Sequence, residues 1–438
     1  MTPVQGEEPS KPSPYEVISR VSDFESKDQE TWWKDVAPLL NNVMASAHYD
    51  VHHQYQYLLF LRDVLIPALG PYPHSANAWK STTTRSGIPV EISVNYRKDH
   101  NPTVRISIEP TTYLSGTERD PFNQLPAKEL FNSLSRLGLR GYDAELFGRL
   151  VSDLTVTPSE VDLIRSKGID VGAFKSQATP GFDLQNGDIS VKGYVFPNVK
   201  QTVTGTSVDK LVFDSLHKLE KYLHCSQALS LLEGYLQESG TGGNIGFIAV
   251  DCIDPTQLRF KIYMAHPSVT LAKVEEAYTL GGRLSDSTTL KGLELLRDIW
   301  QLVGIEEGDR TLIPYFDDPK SKASQGIRPP LVWNYEFKPG HSQPVTKIYL
   351  PTHGENDLKV ARGLSKFFDR IGSTELAESY VSNLQALYPE HDIGRMTALQ
   401  SWVSYFYTEK TGVYTSVYYH SSCKYLWDIE NGVVPDHA

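Results

Sequence analysis

The segment LRFKIYMA, residues 258–265, alternates without a break: Arg259, Lys261 and Tyr263 fall on one face of an extended chain, Phe260, Ile262 and Met264 on the other. A strand divided in this way lies between an apolar layer and something polar. It belongs to a pair of extended segments, 246–252 with 257–265. Four similar pairs occur along the chain: 89–96 with 103–109, 178–184 with 189–196, 331–337 with 346–350, and 401–407 with 412–420. Helical periodicity marks 29–46, 52–69, 128–137, 208–223, 227–237, 288–303, 357–371 and 374–387 around them. Helix, strand, strand, helix repeated five times is not a βαβ pattern. It predicts an α+β fold, a ten-stranded antiparallel β-barrel ringed by helices and built of five αββα repeats, because closure leaves no strand edge exposed. An amphipathic helix buries its stripe only against an apolar sheet face, so the charged face points into the lumen.

The same parity argument collects a site. Arg105 in 103–109, Lys192 and Tyr194 in 189–196, Arg259, Lys261 and Tyr263 in 258–265, Lys347 and Tyr349 in 346–350, and Tyr414 and Tyr418 in 412–420 all point inward. Five cations in one lumen repel one another unless an anion joins them, which implies a polyanionic ligand such as a diphosphate. Ring faces suit a cationic or apolar group attached to that anion. An allylic diphosphate satisfies both, the basic groups stabilising the departing diphosphate and the rings the allyl cation. Glu91 shares a face with Ser93 and Asn95, opposite Val90, Ile92 and Val94, and supplies a carboxylate to accept an N–H or take a proton. The 24 tyrosines, against 16 phenylalanines, find a use in such a lumen, since a purely structural core favours Phe or Leu.

Composition excludes other classes. The net charge of −11, with no run of Lys or Arg, argues against nucleic acid and anionic membrane as partners. The most apolar stretch, 57–70, is interrupted by Arg62, Asp63 and Pro67 and is too short to span a bilayer. Residues 1–14, acidic and Pro-rich without an apolar core, read as a disordered tail rather than a targeting peptide, and 15–438 as a single barrel domain. Cys225, Cys252 and Cys423 are widely spaced with no CxxC pair, which suits a reducing, cytoplasmic setting. No motif reads as a metal site. His48, His52 and His53 lack a completing carboxylate, and Asp317 and Asp318 sit in a polar loop. The glycines at 240, 242, 243 and 246 follow a helix and precede a strand, the reverse of a dinucleotide loop. Trp32 and Trp33 read as helix packing.

With these residues in place, the chain resembles the fungal aromatic prenyltransferases of the dimethylallyltryptophan synthase type. The likeness runs through WWKDVAPLL (32–40), YDVHHQYQYLLF (49–60), LGPYP (69–73), GIPVEISVN (87–95), TVRISIEP (103–110), VKGYVFP (191–197), RFKIY (259–263), YTLGGRLSDS (278–287), KIYLPTHG (347–354) and YTEKTGVYTSVYYH (407–420). The resemblance implies the αββα barrel and transfer of a dimethylallyl group from dimethylallyl diphosphate to an indole, with no cofactor and no magnesium. It implies Glu91 as the residue that binds the indole N–H and acts as base. Arg105, Lys192, Tyr194, Arg259, Lys261, Tyr263, Tyr349, Tyr414 and Tyr418 match diphosphate-binding and tyrosine-shield positions, while Lys347 stands where a glutamine is common. Val332 falls near a position that limits donor length. Enzymes of the family acting on free tryptophan carry an arginine on the strand before RFKIY and a lysine on the strand before VKGY. Neither 244–250 nor 178–184 has one, which points to a larger, uncharged indole such as a tryptophan-containing cyclic dipeptide. Free tryptophan, a phenolic acceptor, or a non-catalytic carrier for an anionic amphiphile are the alternatives. The expected partners are thus small molecules only, and the chain is a monomer or a homodimer.

Overall fold

The computed structural model describes residues 11–73, 79–84, 86–172, 174–240, 244–312 and 328–420. The expectations for residues 1–10, Gly242, Gly243, Asp317, Asp318 and Cys423 lie outside them. Ten strands form the barrel: β1 (Val90–Arg97), β2 (His100–Ile108), β3 (Ala178–Gln185), β4 (Asp188–Val195), β5 (Asn244–Asp251), β6 (Phe260–His266), β7 (Leu331–Phe337), β8 (Val345–Leu350), β9 (Gln400–Thr408) and β10 (Gly412–His420). Each pairs antiparallel with its sequence neighbours, and β1 closes the barrel on β10, with Glu91 opposite His420 and Ser93 opposite Tyr418.

The alternation read in 258–265 holds. Phe260, Ile262 and Met264 are buried on the outside of the barrel, where the Phe260 ring stacks on Phe337 at 4.7 Å. Helices Lys27–Ser46, Val51–Phe60, Ser287–Val303, Asp357–Arg370 and Thr374–Leu387 complete one continuous core with these outer faces. The glycine of VKGY belongs to this packing. A Cβ on Gly193 would lie 2.2 Å from the ring of Phe147, so helix Glu145–Leu154 approaches β4 only because that position is bare. Trp32 and Trp33 are buried packing residues, donating from Nε1 to the Gly70 carbonyl and the Ser19 hydroxyl.

Several expectations are corrected. Helix Pro14–Val21 starts one residue inside the expected tail and is capped by Ser13 with Glu16 in a capping box. The helix read through 208–223 ends at Lys218, and Glu220–Leu223 forms a separate turn. The tyrosine excess is not mainly lumenal. Tyr49, Tyr57, Tyr335, Tyr388 and Tyr405 each donate to a backbone carbonyl and staple helices and loops to the barrel, and Tyr142 does the same between a loop and helix Leu125–Leu134. A phenol spans helix to strand and still satisfies a carbonyl at the far end, which Phe cannot do. Glu109, on the same parity as Arg105, belongs to no lumenal cluster but is buried beyond the end of β2. There it accepts from Trp79, Ser81, Ser176 and Asn123 and so binds three loops together.

Candidate active site

Two zones fill the lumen. The first is a belt of rings separate from the outer core: Tyr263, Tyr349 and Ala249, with Tyr194, Phe247, Val332, Trp402 and Tyr418 packed against them. Ring centroids follow one another around the wall, Tyr194 to Tyr263 at 6.3 Å, Tyr263 to Tyr349 at 5.9 Å and Tyr349 to Tyr418 at 5.9 Å, while Trp402 stands edge-on to Tyr349 at 6.5 Å. The hydroxyls of Tyr263 and Tyr349 lie 3.3 Å apart, and Asn334 donates to the latter at 3.1 Å. Burial pushes the phenols of Tyr194, Tyr349 and Tyr418 upward, so they stay protonated donors. The Glu91 carboxylate adds to that effect on Tyr418, which places it beside the belt.

The second zone is ionic. Arg105 on β2 approaches Asp183 on β3 at 2.9 Å (Nε to Oδ1), and Lys192 on β4 bonds to the other oxygen of the same carboxylate. Arg259 meets Asp251 at 2.7 Å and Glu336 at 3.8 Å. Lys261 lies 3.6 Å from Glu336, and Lys338 reaches it from the rim at 3.2 Å. Burial opposes ionisation of Glu336, but Lys261, Arg259 and Lys338 outweigh it and hold its carboxyl at about 2. For Asp183, burial is likewise overcome, by Arg105 and Lys192, and its carboxyl stays well below the usual range. Burial brings the Lys192 amine down to about 8 despite Asp183.

All five expected cations therefore converge, as do Tyr194, Tyr263, Tyr349 and Tyr418. Tyr414 differs. It lies among the cations rather than in the belt, accepting from Arg105 Nη2 at 2.5 Å with Lys347 Nζ 4.7 Å above its ring. The expectation of five unrelieved like charges is corrected, because Asp183, Asp251 and Glu336 are interleaved with them. The parity that selected Lys192 also points these three inward, since Gly181–Lys192, Lys192–Asp251 and Lys261–Glu336 are register partners. Phe247 and Trp402 were missed as well. Apolar residues on a lumenal face blur the alternation rather than marking it. Among the described residues no group of His, Cys, Asp and Glu could hold a metal ion, and His53 pairs with Asp50. Nor is any described helix long and apolar enough to cross a membrane.

An antiparallel barrel whose lumen joins an aromatic belt to a cluster of partly buried cations defines an aromatic prenyltransferase. The tryptophan dimethylallyltransferase family matches residues 28–383, and the chain belongs to it. It is 44% identical to the prenyltransferase malE of Malbranchea aurantiaca over 95% of this chain and 94% of that one. It is 43% identical to the deoxybrevianamide E synthase notF of an Aspergillus species over 96% and 93%. Among solved structures, NotF in complex with brevianamide F and DMSPP superposes with a TM-score of 0.83 at 40% identity, covering 94% of this chain and all of that one. AnaPT from Neosartorya fischeri gives 0.82 at 34%, covering 94% and 98%.

Proposed function

We propose that this prenyltransferase moves a dimethylallyl group from dimethylallyl diphosphate to the indole ring of a tryptophan-containing cyclic dipeptide, without a metal ion. The observation that carries this reading is the joining of the ionic zone to the ring belt, with Glu91 at the belt's edge. Arg105, Lys192, Arg259, Lys261 and Lys347, with the hydroxyls of Tyr194, Tyr263, Tyr349, Tyr414 and Tyr418, hold the diphosphate. The allylic C–O bond breaks with its electron pair leaving on the diphosphate. The ring faces stabilise the cation and keep water out. Indole carbon attacks the cation, and Glu91 holds the indole N–H and takes the proton that restores aromaticity.

The missing arginine in 244–250 and lysine in 178–184, with the brevianamide F bound by NotF, support a cyclic dipeptide acceptor. Incubation with dimethylallyl diphosphate, cyclic tryptophan dipeptides and free tryptophan, with and without EDTA, read by mass spectrometry, tests this. The expected kcat/KM for a cyclic dipeptide exceeds that for tryptophan by about 100-fold, because a carboxylate in a site without a cationic partner is left unpaired. EDTA changes nothing. A preference for tryptophan sinks the acceptor assignment, and loss of turnover in EDTA the metal-free one. Val332 sits in the belt opposite Tyr349, and its small side chain leaves room for a longer donor. Geranyl diphosphate is expected to give product, and Val332→Phe to abolish that product while sparing dimethylallyl transfer.

A further inference from the structure

Lys347 is set apart from the other lumenal cations. Arg105 and Lys192 share Asp183, Arg259 lies against Asp251 and Glu336, and Lys261 faces Glu336. Among the described residues, Lys347 alone of the five has no carboxylate in ion-pair contact. Its amine rests on rings instead, 4.7 Å from the centre of Tyr414 and 5.9 Å from that of Phe406. Its partner across the ladder on β7 is the neutral Asn334. The charged groups that act on it most strongly are Arg105 from β2, Lys261 from β6 and Lys192 from β4, which repel it, and the Glu336 carboxylate from β7, which opposes them. Tyr414 from β10 is the phenol beneath it, and β9 contributes the ring of Phe406. Burial and repulsion by Arg105 and Lys261 together push this amine well below the ordinary lysine range.

We infer that Lys347, the lumenal cation seated on rings rather than against a carboxylate, is the titrating residue of the donor site and takes a proton from solvent as the allylic diphosphate binds. This rests on the donor reading of the ionic zone given above. The physical reason is charge balance. Arg105, Arg259 and Lys261, each beside a carboxylate, keep their protons whether or not ligand is present. Lys347 lacks such a partner until the diphosphate oxygens arrive, and a dense anion beside an amine favours the ammonium. The step is a proton transfer from water to Nζ, which leaves an ammonium donor on the group that must depart.

Linkage makes this measurable. A site that takes up one proton on binding loses affinity tenfold for each pH unit above the amine's free value. The probe is the thiolo analogue of dimethylallyl diphosphate, which has sulfur in place of the bridging oxygen and so resists turnover. Its terminal phosphate ionises at about 6, below the window used. Calorimetric titration of the full chain at pH ~7 and ~9, in buffers of different ionisation enthalpy, counts the protons taken up. Uptake rising with pH is expected for the wild type. Lys347→Arg keeps the charge but cannot titrate, and should bind with little uptake and an affinity that changes less than about twofold across the window. Lys347→Gln should likewise show no uptake, which guards against a misfolded arginine variant. Lys192, at about 8, is the other amine able to titrate there, so Lys192→Arg forms the third arm. Uptake that persists in both Lys347 variants, or vanishes only in Lys192→Arg, overturns the inference while leaving the donor site standing. Failure of the wild type to bind the analogue overturns both.

Discussion

Glu91→Gln is expected to lower kcat for indole prenylation by about 100- to 10,000-fold while leaving donor affinity within a factor of about 2. Glutamine keeps the shape and can still accept the indole N–H through its carbonyl, so acceptor KM should move little. It cannot take up the proton whose loss restores aromaticity, nor stabilise positive charge on the indole as the new bond forms. The loss corresponds to about 3 to 5 kcal/mol of transition-state stabilisation, at 1.36 kcal/mol per factor of ten. Its size follows from the surroundings. Glu91 leaves β1 on the lumenal face, opposite Ser107 and His420 on the flanking strands, and its charge is felt at Tyr418 inside the belt. Steady-state kinetics with direct binding of the thiolo analogue decides the matter. A kcat within fivefold of wild type would show that Glu91 is not the base. Equal loss for a phenolic acceptor and none for indoles would reassign it to hydroxyl deprotonation. A chain that only carries an amphiphile would show no turnover to lose.

The barrel was legible because alternation survives in most strands. Arg259, Lys261 and Tyr263 against Phe260, Ile262 and Met264 fix which side meets the helices, and register then carries that choice around the wall. Where tyrosines and acids were not legible, the cause is that a residue type does not specify a role. Tyr335 and Tyr405 are buried against helices Leu271–Tyr278 and Ser287–Val303 through hydroxyl-to-carbonyl bonds, and composition alone cannot separate such staples from Tyr263 or Tyr349. Asp251 and Glu336 occupy the last turns of strand before a loop, where an acid ordinarily faces solvent. Their inward parity follows from register with Lys192 and Lys261. The helix Pro158–Lys167 buries only Val161 and Ile164 along its length and so lacks a strong apolar period. Its true signal was the capping box of Thr157 and Glu160.

Asp183→Asn is expected to cost about 3 to 5 kcal/mol of stability in the empty protein. The carboxylate is shared, one oxygen to Arg105 and the other to Lys192, so a single neutralisation leaves two buried cations uncompensated. Its pKa is held below the ordinary carboxylate value. The stabilisation it contributes is therefore complete at any pH above that ordinary value and is lost only as pH falls through the depressed one. Mild acid down to about pH 5 should not mimic the variant. Burial already lowers Lys192 to about 8 with Asp183 present. Without it the amine should lose its proton more readily, and the variant should recover part of the deficit as pH rises. A bound diphosphate should recover more, because it places negative charge between the same two cations and stabilises only the folded chain. Denaturant unfolding of wild type and variant, with and without inorganic diphosphate, tests both halves. A wild-type midpoint for the ligand-free variant, or a deficit that diphosphate does not reduce, would mean that Asp183 is not the anion that keeps the site assembled while it is empty. The carboxylates and the diphosphate are alternatives for the same positive charge. On this reading the empty lumen remains folded because Asp183, Asp251 and Glu336 lie against Arg105, Lys192, Arg259 and Lys261, and the donor should draw on Lys347, the one of the five cations that has no ion pair among the described residues.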